Sequence, residues 1–363
     1  MEQFKYIHGG DLHKTEKEHG ISLDKILDYS SNINPLGIPE EIVNIIKNNI
    51  DKLKMYPDAH CRELIKEISK YLDVSLEHII VGNGAIEVIF LYLFSIRPKK
   101  ILLPIPTFSE YENIAEMLKI DVDFIETFED NGFLFSYQLI SKKMTEEIEA
   151  LILCNPNNPT STLIREKDLK KIIKEAGQKN IRVMIDETFI ELTSGGNENS
   201  IVKFIKENDN VFVVRAFTKL FSIPGLRLGY GIGCKSIIQK MWKRKACWSV
   251  NTFASLAGSV LNNDREYLKK TDKWLTNELV WFFEELKKIP GFKIFKPETN
   301  FILIKILDER FNSKILKSKM AEKGILIRDA ENFRGLNNRY IRVALKDRKS
   351  NESFLKNLKE VMR

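Results

Sequence analysis

VFVVRAFTKLFSIPGLRLGYGIG, residues 211–233, decides how the chain is read. Its first four residues, Val211 to Val214, form an apolar, β-branched run of the length expected of a buried strand. The run turns polar at Arg215, and Thr218 and Lys219 are expected in the turn that follows. Pro224-Gly225 then breaks the chain, and Leu228 to Ile232 is a second apolar strand punctuated by glycines. A lone lysine beside a strand is ordinarily a solvated loop residue. An amine in a tight loop between two buried strands is instead partly desolvated, which lowers its pKa and frees its lone pair to attack an aldehyde. Arg227, eight residues on, is placed to hold a phosphate while the amine holds that aldehyde.

Upstream, the same texture repeats. Ile79 to Val81 reads as a strand that passes through Gly82-Asn83-Gly84-Ala85-Ile86 into a helix over 86–94. Strand, glycine turn and helix point free backbone amides and the positive end of a helix dipole at an anion, although a plain turn reads the same way. Ile101 to Leu103 is a further strand, followed by the stiff loop Pro104-Ile105-Pro106-Thr107-Phe108. Ala150 to Cys154 is another and ends in Asn155-Pro156-Asn157-Asn158-Pro159-Thr160-Ser161, where each proline excludes helix from the residue before it. A helix over 167–175 precedes the strand 182–189, which delivers Asp186 near its carboxyl end, where α/β sheets bind ligands. This alternation predicts an α/β fold with a mostly parallel sheet covered by helices on both faces.

The ends of the chain differ from its middle. The N-terminal segment carries His8-Gly9-Gly10 and then the turn-rich loop Asp28-Tyr29-Ser30-Ser31-Asn32-Ile33-Asn34-Pro35-Leu36-Gly37. A helix over 39–50 starts with a proline and two acids, as the helix dipole favours. Met55-Tyr56-Pro57-Asp58 is a turn before a helix over 61–72. After Gly233 a helical stretch is expected to carry Cys247-Trp248-Ser249-Val250-Asn251, and a long charged helix runs over 265–288. Shorter units follow: strand 301–305, helix 313–322, strands 325–327 and 340–345, and a helix from about 351. Arg328 ends one of these strands and Arg342 lies within Arg339-Tyr340-Ile341-Arg342-Val343-Ala344. A planar guanidinium among apolar strand residues suits a carboxylate or phosphate ligand, or an internal carboxylate. The expected division is a large α/β domain over 45–255 and a small α+β domain built from 1–44 and 256–363.

Composition narrows the class. The 363 residues are 43% hydrophobic and 29% charged, a globular balance with room for a large domain and a smaller one. The net charge of +7 comes from 57 basic and 50 acidic residues interspersed along the chain, which describes a solvated surface and not a nucleic-acid stripe. Cys61, Cys154, Cys234 and Cys247 are too scattered for a metal knuckle or a disulfide framework, and His8, His13 and His19 lack a cysteine pair to make a zinc site. The N-terminus has no apolar core with a cleavage site, and the most apolar window, 86–96, is too short to span a bilayer. A cytoplasmic protein with reduced thiols is expected.

The segment T-K-x-x-x-x-P-G-L-R-x-G-Y from Thr218 to Tyr230 resembles the lysine segment of fold-type-I pyridoxal-phosphate enzymes, the family of class I and II aminotransferases. Asn155 to Ser161 resembles its N-P-N-N-P-T-G motif, with Ser161 in place of the glycine. The resemblance covers nearly the whole chain and implies pyridoxal 5′-phosphate as cofactor, with Lys219 bonded to its aldehyde and Asp186 paired with its pyridine nitrogen. Asn158 would donate to the phenolic oxygen, Phe108 would stack on the ring, and Thr218, Arg227 and the amides from Gly84 through Ala85 to Ile86 would hold the phosphate. Ala216 stands where relatives commonly place a hydroxyl, and Phe189 where many that transaminate have tyrosine. Tyr56, a position that reaches into the neighbouring subunit in the family, implies a homodimer. The H-G-G arm, D-Y-S-S-N-I-N-P-L-G and W-S-V-N are similar to one branch, the threonine-phosphate decarboxylases of cobalamin side-chain synthesis. That likeness places His8, Asn32 and Asn158 at the substrate, with Arg342 on its carboxylate and Arg328 on its phosphate. The expected reaction is decarboxylation of L-threonine O-3-phosphate or L-serine O-phosphate. The alternative is histidinol-phosphate transamination, which shares most of these motifs.

Overall fold

The computed structural model of the chain describes residues 9, 10, 12–259 and 265–363. The strands are β1 (Leu27–Asp28), β2 (Ile79–Asn83), β3 (Lys100–Ile105), β4 (Asp121–Glu126), β5 (Ala150–Cys154), β6 (Arg182–Asp186) and β7 (Val211–Ala216). They continue with β8 (Leu228–Gly233), β9 (Phe292–Ile294), β10 (Phe301–Ile306), β11 (Ile325–Leu326), β12 (Arg328–Asp329) and β13 (Tyr340–Ala344). Seven of them form the central sheet in the order β2-β8-β7-β6-β5-β3-β4. β3, β4, β5, β6 and β7 run parallel, while β8 is antiparallel to both its neighbours, β7 and β2.

Period-2 alternation along these strands builds two cores, one on each face of the sheet. Val211 and Val213 join one cluster with Val183, Ile185, Leu151 and Leu153. Phe212 and Val214 join the other with Met184, Ile152 and Leu103. Because both faces are covered, the strands read as continuous apolar runs, the signature of a parallel sheet. The same alternation sends Asp186 and Ala216 to the second face, and Glu187 and Arg215 to the first.

Arg215 corrects the sequence reading at that point. The strand does not turn polar and end; it continues through Arg215 to Ala216, and Arg215 is fully buried. Its Nε donates to Glu187 Oε2 at 3.0 Å and its Nη1 to Asn197 Oδ1 at 2.8 Å, with Glu191 Oε1 at 3.5 Å. A buried guanidinium with two carboxylates is the paired state such a charge requires. Two further expectations are also revised. Trp248 to Asn251 is not helical: Trp248 has φ +57° and Asn251 caps the next helix, Thr252–Gly258, by accepting from the Ala254 N–H. The strand expected over 182–189 ends at Asp186, and Phe189 packs edge-on against Phe301 at 5.0 Å.

The C-terminal strands form an antiparallel sheet, β12-β13-β10-β9, and β1 pairs in parallel with β11. That short pairing lays the N-terminal segment against the C-terminal part of the chain. Tyr29 follows β1, is fully buried, and donates its hydroxyl to Asn351 Oδ1 at 3.0 Å. The loop Ser30 to Asn34 is thereby pressed toward the carboxyl ends of β5, β6 and β7.

Candidate active site

A cavity of about 330 Å3 opens at the carboxyl ends of the parallel strands. Cys154 and Asp186 end β5 and β6, Ala216 ends β7, and all three line it together with Lys219 from the short helix Phe217–Leu220. Ala85, Ile86, Phe108, Asn158, Thr218, Arg227, Arg328, Arg342 and Asn32, all singled out by the sequence, line it as well. Residues more than three hundred positions apart thus converge on one space.

Asp186 is held from two sides. Tyr111 donates its hydroxyl to Oδ2 at 2.7 Å and the Thr188 N–H donates to Oδ1 at 2.9 Å. Burial raises its pKa, and those two donors oppose the rise. The Lys219 amine is pulled down from 10.5 to about 8, first by burial and then by Arg342 and Arg227, with Asp28 acting against them. A substantial neutral fraction near pH 7 to 8 is what carbonyl chemistry at a lysine needs.

The anion end is built from backbone. The helix Gly84–Ile96 starts at the end of β2 with no side-chain cap on its first amides, which leaves those N–H groups to an anion. Gly84 has φ +77°, and a Cβ there would lie 2.5 Å from Arg227 Nη2. Only glycine admits the guanidinium so close to the helix start. Gly229 lets β8 pack against the backbone at that helix start, since its Cβ would meet Ala85 N at 2.3 Å.

At the opposite end, β12 and β13 bring Arg328 and Arg342 directly opposite one another. Arg342 gives Nη1 to Asn158 Oδ1 and Nη2 to the Ser30 carbonyl at 2.6 Å, and its Nε is buried without a hydrogen-bond partner. Burial, and then Arg328, draws its pKa down to about 9. Burial likewise lowers Arg328 to about 10. The Asn32 Oδ1 is a second buried atom without a partner. Because Arg342 takes the Asn158 oxygen, the NH2 of Asn158 is the donor end left for the cavity.

The remaining predicted site residues fall elsewhere. Gly84 backs Arg227 without lining the cavity. Tyr56 is 82% exposed, stacks on Trp248 at 4.7 Å, and lies outside the cavity of its own chain. His8 lies outside the described residues. Tyr111, Thr188, Cys154, Ser30, Ser31 and Phe333 line the cavity and were not singled out. Tyr111 had a usable signal, since it stands three residues after Phe108 at the start of a helix and the two rings meet edge-on at 5.6 Å.

The residues present fit pyridoxal 5′-phosphate: a desolvated lysine, a buried carboxylate, a cradle that a Cβ at residue 84 would fill, and unpartnered buried polar atoms facing the substrate end. Fold and site together define a fold-type-I pyridoxal-phosphate enzyme. The chain belongs to the aminotransferase class I and II family, whose model matches residues 24–358. It is 41% identical over 349 residues to a protein of Caldanaerobacter subterraneus subsp. tengcongensis provisionally named threonine-phosphate decarboxylase, covering 94% of this chain and 93% of that one. It is 31% identical to the threonine-phosphate decarboxylase of Salmonella typhimurium, over 100% of this chain and 98% of the relative. Among solved structures, the histidinol-phosphate aminotransferase from Clostridium acetobutylicum superposes with a TM-score of 0.86 at 37% identity, over 93% of this chain and 99% of that one. Among the described residues, no helix is long and apolar enough to cross a membrane.

Proposed function

We propose that the protein decarboxylates L-threonine O-3-phosphate, or its analogue L-serine O-phosphate, to an aminoalcohol phosphate that serves cobamide side-chain synthesis in the cytoplasm. The observation that carries this reading is the cross-strand pair Arg328 and Arg342, both buried at one end of the cavity. Like charges placed opposite each other are unfavourable. A ligand with two anionic groups relieves that repulsion and satisfies the Arg342 Nε.

In the proposed roles, Lys219 and Asp186 are catalytic. Thr218, Arg227 and the amides of Gly84, Ala85 and Ile86 hold the cofactor phosphate, Phe108 and Asn158 hold its ring, and Asp186 is a carboxylate that a cationic ring nitrogen would keep ionised. Pyridoxal phosphate supplies an electron sink for the pair left when a bond at the substrate Cα breaks. Which bond breaks would depend on how the chain's own residues orient the substrate. Arg342 binds the carboxylate, and Arg328 binds the phosphate with Asn32 and His8. With both ends held by Arg342 and Arg328, rotation about the substrate's bond from nitrogen to Cα would be restricted, and the carboxylate that Arg342 orients would be the group lost as carbon dioxide. The Lys219 amine, with its pKa near 8, is suited to return a proton to Cα.

The second reading, histidinol-phosphate transamination, is favoured by the 37% identity to a solved aminotransferase of that name. Histidinol phosphate has no carboxylate, so Arg342 would then serve the oxo-acid co-substrate. Phe189 in place of a tyrosine, together with the W-S-V-N segment, supports the first reading. The test incubates the enzyme separately with each phosphoamino acid and with histidinol phosphate plus 2-oxoglutarate. Carbon dioxide from a phosphoamino acid supports the proposal, and glutamate without carbon dioxide replaces it.

The same proposal assigns residues 45–255 to a large domain and 1–44 with 256–363 to a small one, supported by the β1–β11 pairing. It includes a homodimer in which Tyr56 completes the partner's site, supported by exposed Ile50, Leu53, Met55, Tyr56 and Trp248 in one region. Sedimentation that finds a fully active monomer would contradict the dimer.

A further inference from the structure

The segment of residues 329–336, which begins at the last residue of β12, has no role in the reaction as described so far. It nevertheless surrounds Arg328. The guanidinium gives Nη1 to the Asp329 carbonyl at 2.6 Å and Nη2 to Asn332 Oδ1 at 2.7 Å, and lies 5.1 Å over the ring of Phe333. Phe333 is buried and forms part of the cavity wall. These two acceptors are neutral oxygens, so they fix the direction of the arginine without adding a countercharge of their own.

The segment is itself held firmly. Ala330 N–H donates to the Tyr340 carbonyl, Phe333 N–H to Ala330, and Leu336 N–H to Phe333, at 3.1, 3.2 and 2.9 Å. Glu331 N–H donates to Asp329 Oδ1 at 2.9 Å. Arg334 then reaches across to the helix Glu110–Met117, where its fork meets both oxygens of Glu112, with Nε to Oε2 at 2.9 Å, and its guanidinium lies 4.6 Å over the Phe124 ring. Glu112 is next in sequence to Tyr111, whose hydroxyl fixes Asp186. One short helix therefore ties the carboxylate at the cofactor end of the cavity to the strap that aims the arginine at the substrate end.

We infer that residues 329–336 form a positioning strap for Arg328, with Asn332 as the pin and the Arg334–Glu112 pair as the anchor. The strap sets how far from the reacting carbon a phosphate monoester dianion is held. This deepens the functional reading above and rests on it for the assignment of Arg328 to a phosphate.

The experiment compares holoenzyme carrying Asn332→Ala, Asn332→Asp, Arg334→Gln, and the charge swap Glu112→Arg with Arg334→Glu. Inorganic phosphate is the binding probe, read as its inhibition constant and by calorimetry, alongside KM and kcat for threonine phosphate. Asn332→Ala should raise KM and weaken phosphate about tenfold while kcat falls less than about threefold, with thermal stability unchanged. Asn332→Asp should weaken phosphate further, because its carboxylate neutralises Arg328 at the same position. Arg334→Gln should give a smaller loss that the swap recovers in part. Unchanged phosphate affinity in both Asn332 variants would overturn the strap, as would a fall in kcat and stability with KM unmoved. Failure of the wild type to release carbon dioxide would instead remove the reading of the reaction, and the strap would stand or fall on the phosphate affinities alone.

Discussion

Replacing Lys219 with methionine tests the desolvation of the amine apart from any turnover. Its pKa falls from 10.5 in an unfolded chain to about 8 in the fold. That lowering is worth about 3 kcal/mol of preference for the neutral amine. The unfolded chain keeps the proton up to pH 10.5, and the folded chain gives it up near 8. Between these values the unfolded state binds more protons, so stability from this group rises with pH across that window, and below pH 8 the cofactor-free fold carries the whole cost. Methionine has a similar length and no charge. In protein stripped of cofactor, Lys219→Met should therefore stabilise by about 1–3 kcal/mol at pH 7, with the gain shrinking between pH 8 and 10.5. Urea unfolding followed by tryptophan fluorescence at pH 7, 9 and 10.5 measures both quantities. A variant that is less stable at pH 7, or a difference that does not change with pH, would refute the argument that burial and the two arginines hold this amine near neutrality.

Three further outcomes follow from packing and charge. Arg215→Met strands Glu187 and Glu191 in the core and should cost about 3–5 kcal/mol in thermal unfolding, most of which Arg215→Met with Glu187→Gln should recover. Ser161 sits at φ +61° and its hydroxyl accepts the Glu298 and Thr299 N–H groups at 3.1 Å each. Ser161→Ala keeps the backbone strain and loses the acceptor, so it should destabilise by about 1–3 kcal/mol, and Ser161→Gly by about 1 kcal/mol less, in a paired denaturation measurement. Gly229→Ala drives a methyl into the first turn of the helix Gly84–Ile96, and should weaken cofactor retention on gel filtration at least tenfold even where the protein folds.

Much of the fold was legible because its central strands are buried on both faces. Such strands, β2, β3, β5, β7 and β8 among them, appear as unbroken apolar runs. β4 was not, since D-V-D-F-I-E lies at the sheet edge, is half-buried, and pairs only with β3. Arg215 looked like the end of a strand because nothing local shows that Glu187 and Glu191 lie beneath it. The W-S-V-N segment is expected in a helical stretch, yet Ser249 donates to Glu87 and Asn251 to the Leu226 carbonyl, tertiary bonds that no periodicity encodes. The site was read through motifs at strand ends, and Lys219, Asp186, Asn158, Arg227, Arg328, Arg342 and Asn32 do meet at one cavity. Tyr111 reaches the same space from a helix with only its spacing from Phe108 to signal it, and Phe333 from a loop with no motif, so the folded structure is what reveals it.

The central claim is that the bond to the carboxylate is the one that breaks. It is tested most directly with threonine phosphate carrying carbon-13 at the carboxyl position, incubated with holoenzyme and followed by carbon-13 NMR. The account predicts that the label appears as bicarbonate while one aminoalcohol phosphate forms per substrate consumed. Label retained in a phosphorylated 2-oxo acid, with no bicarbonate signal, would contradict it.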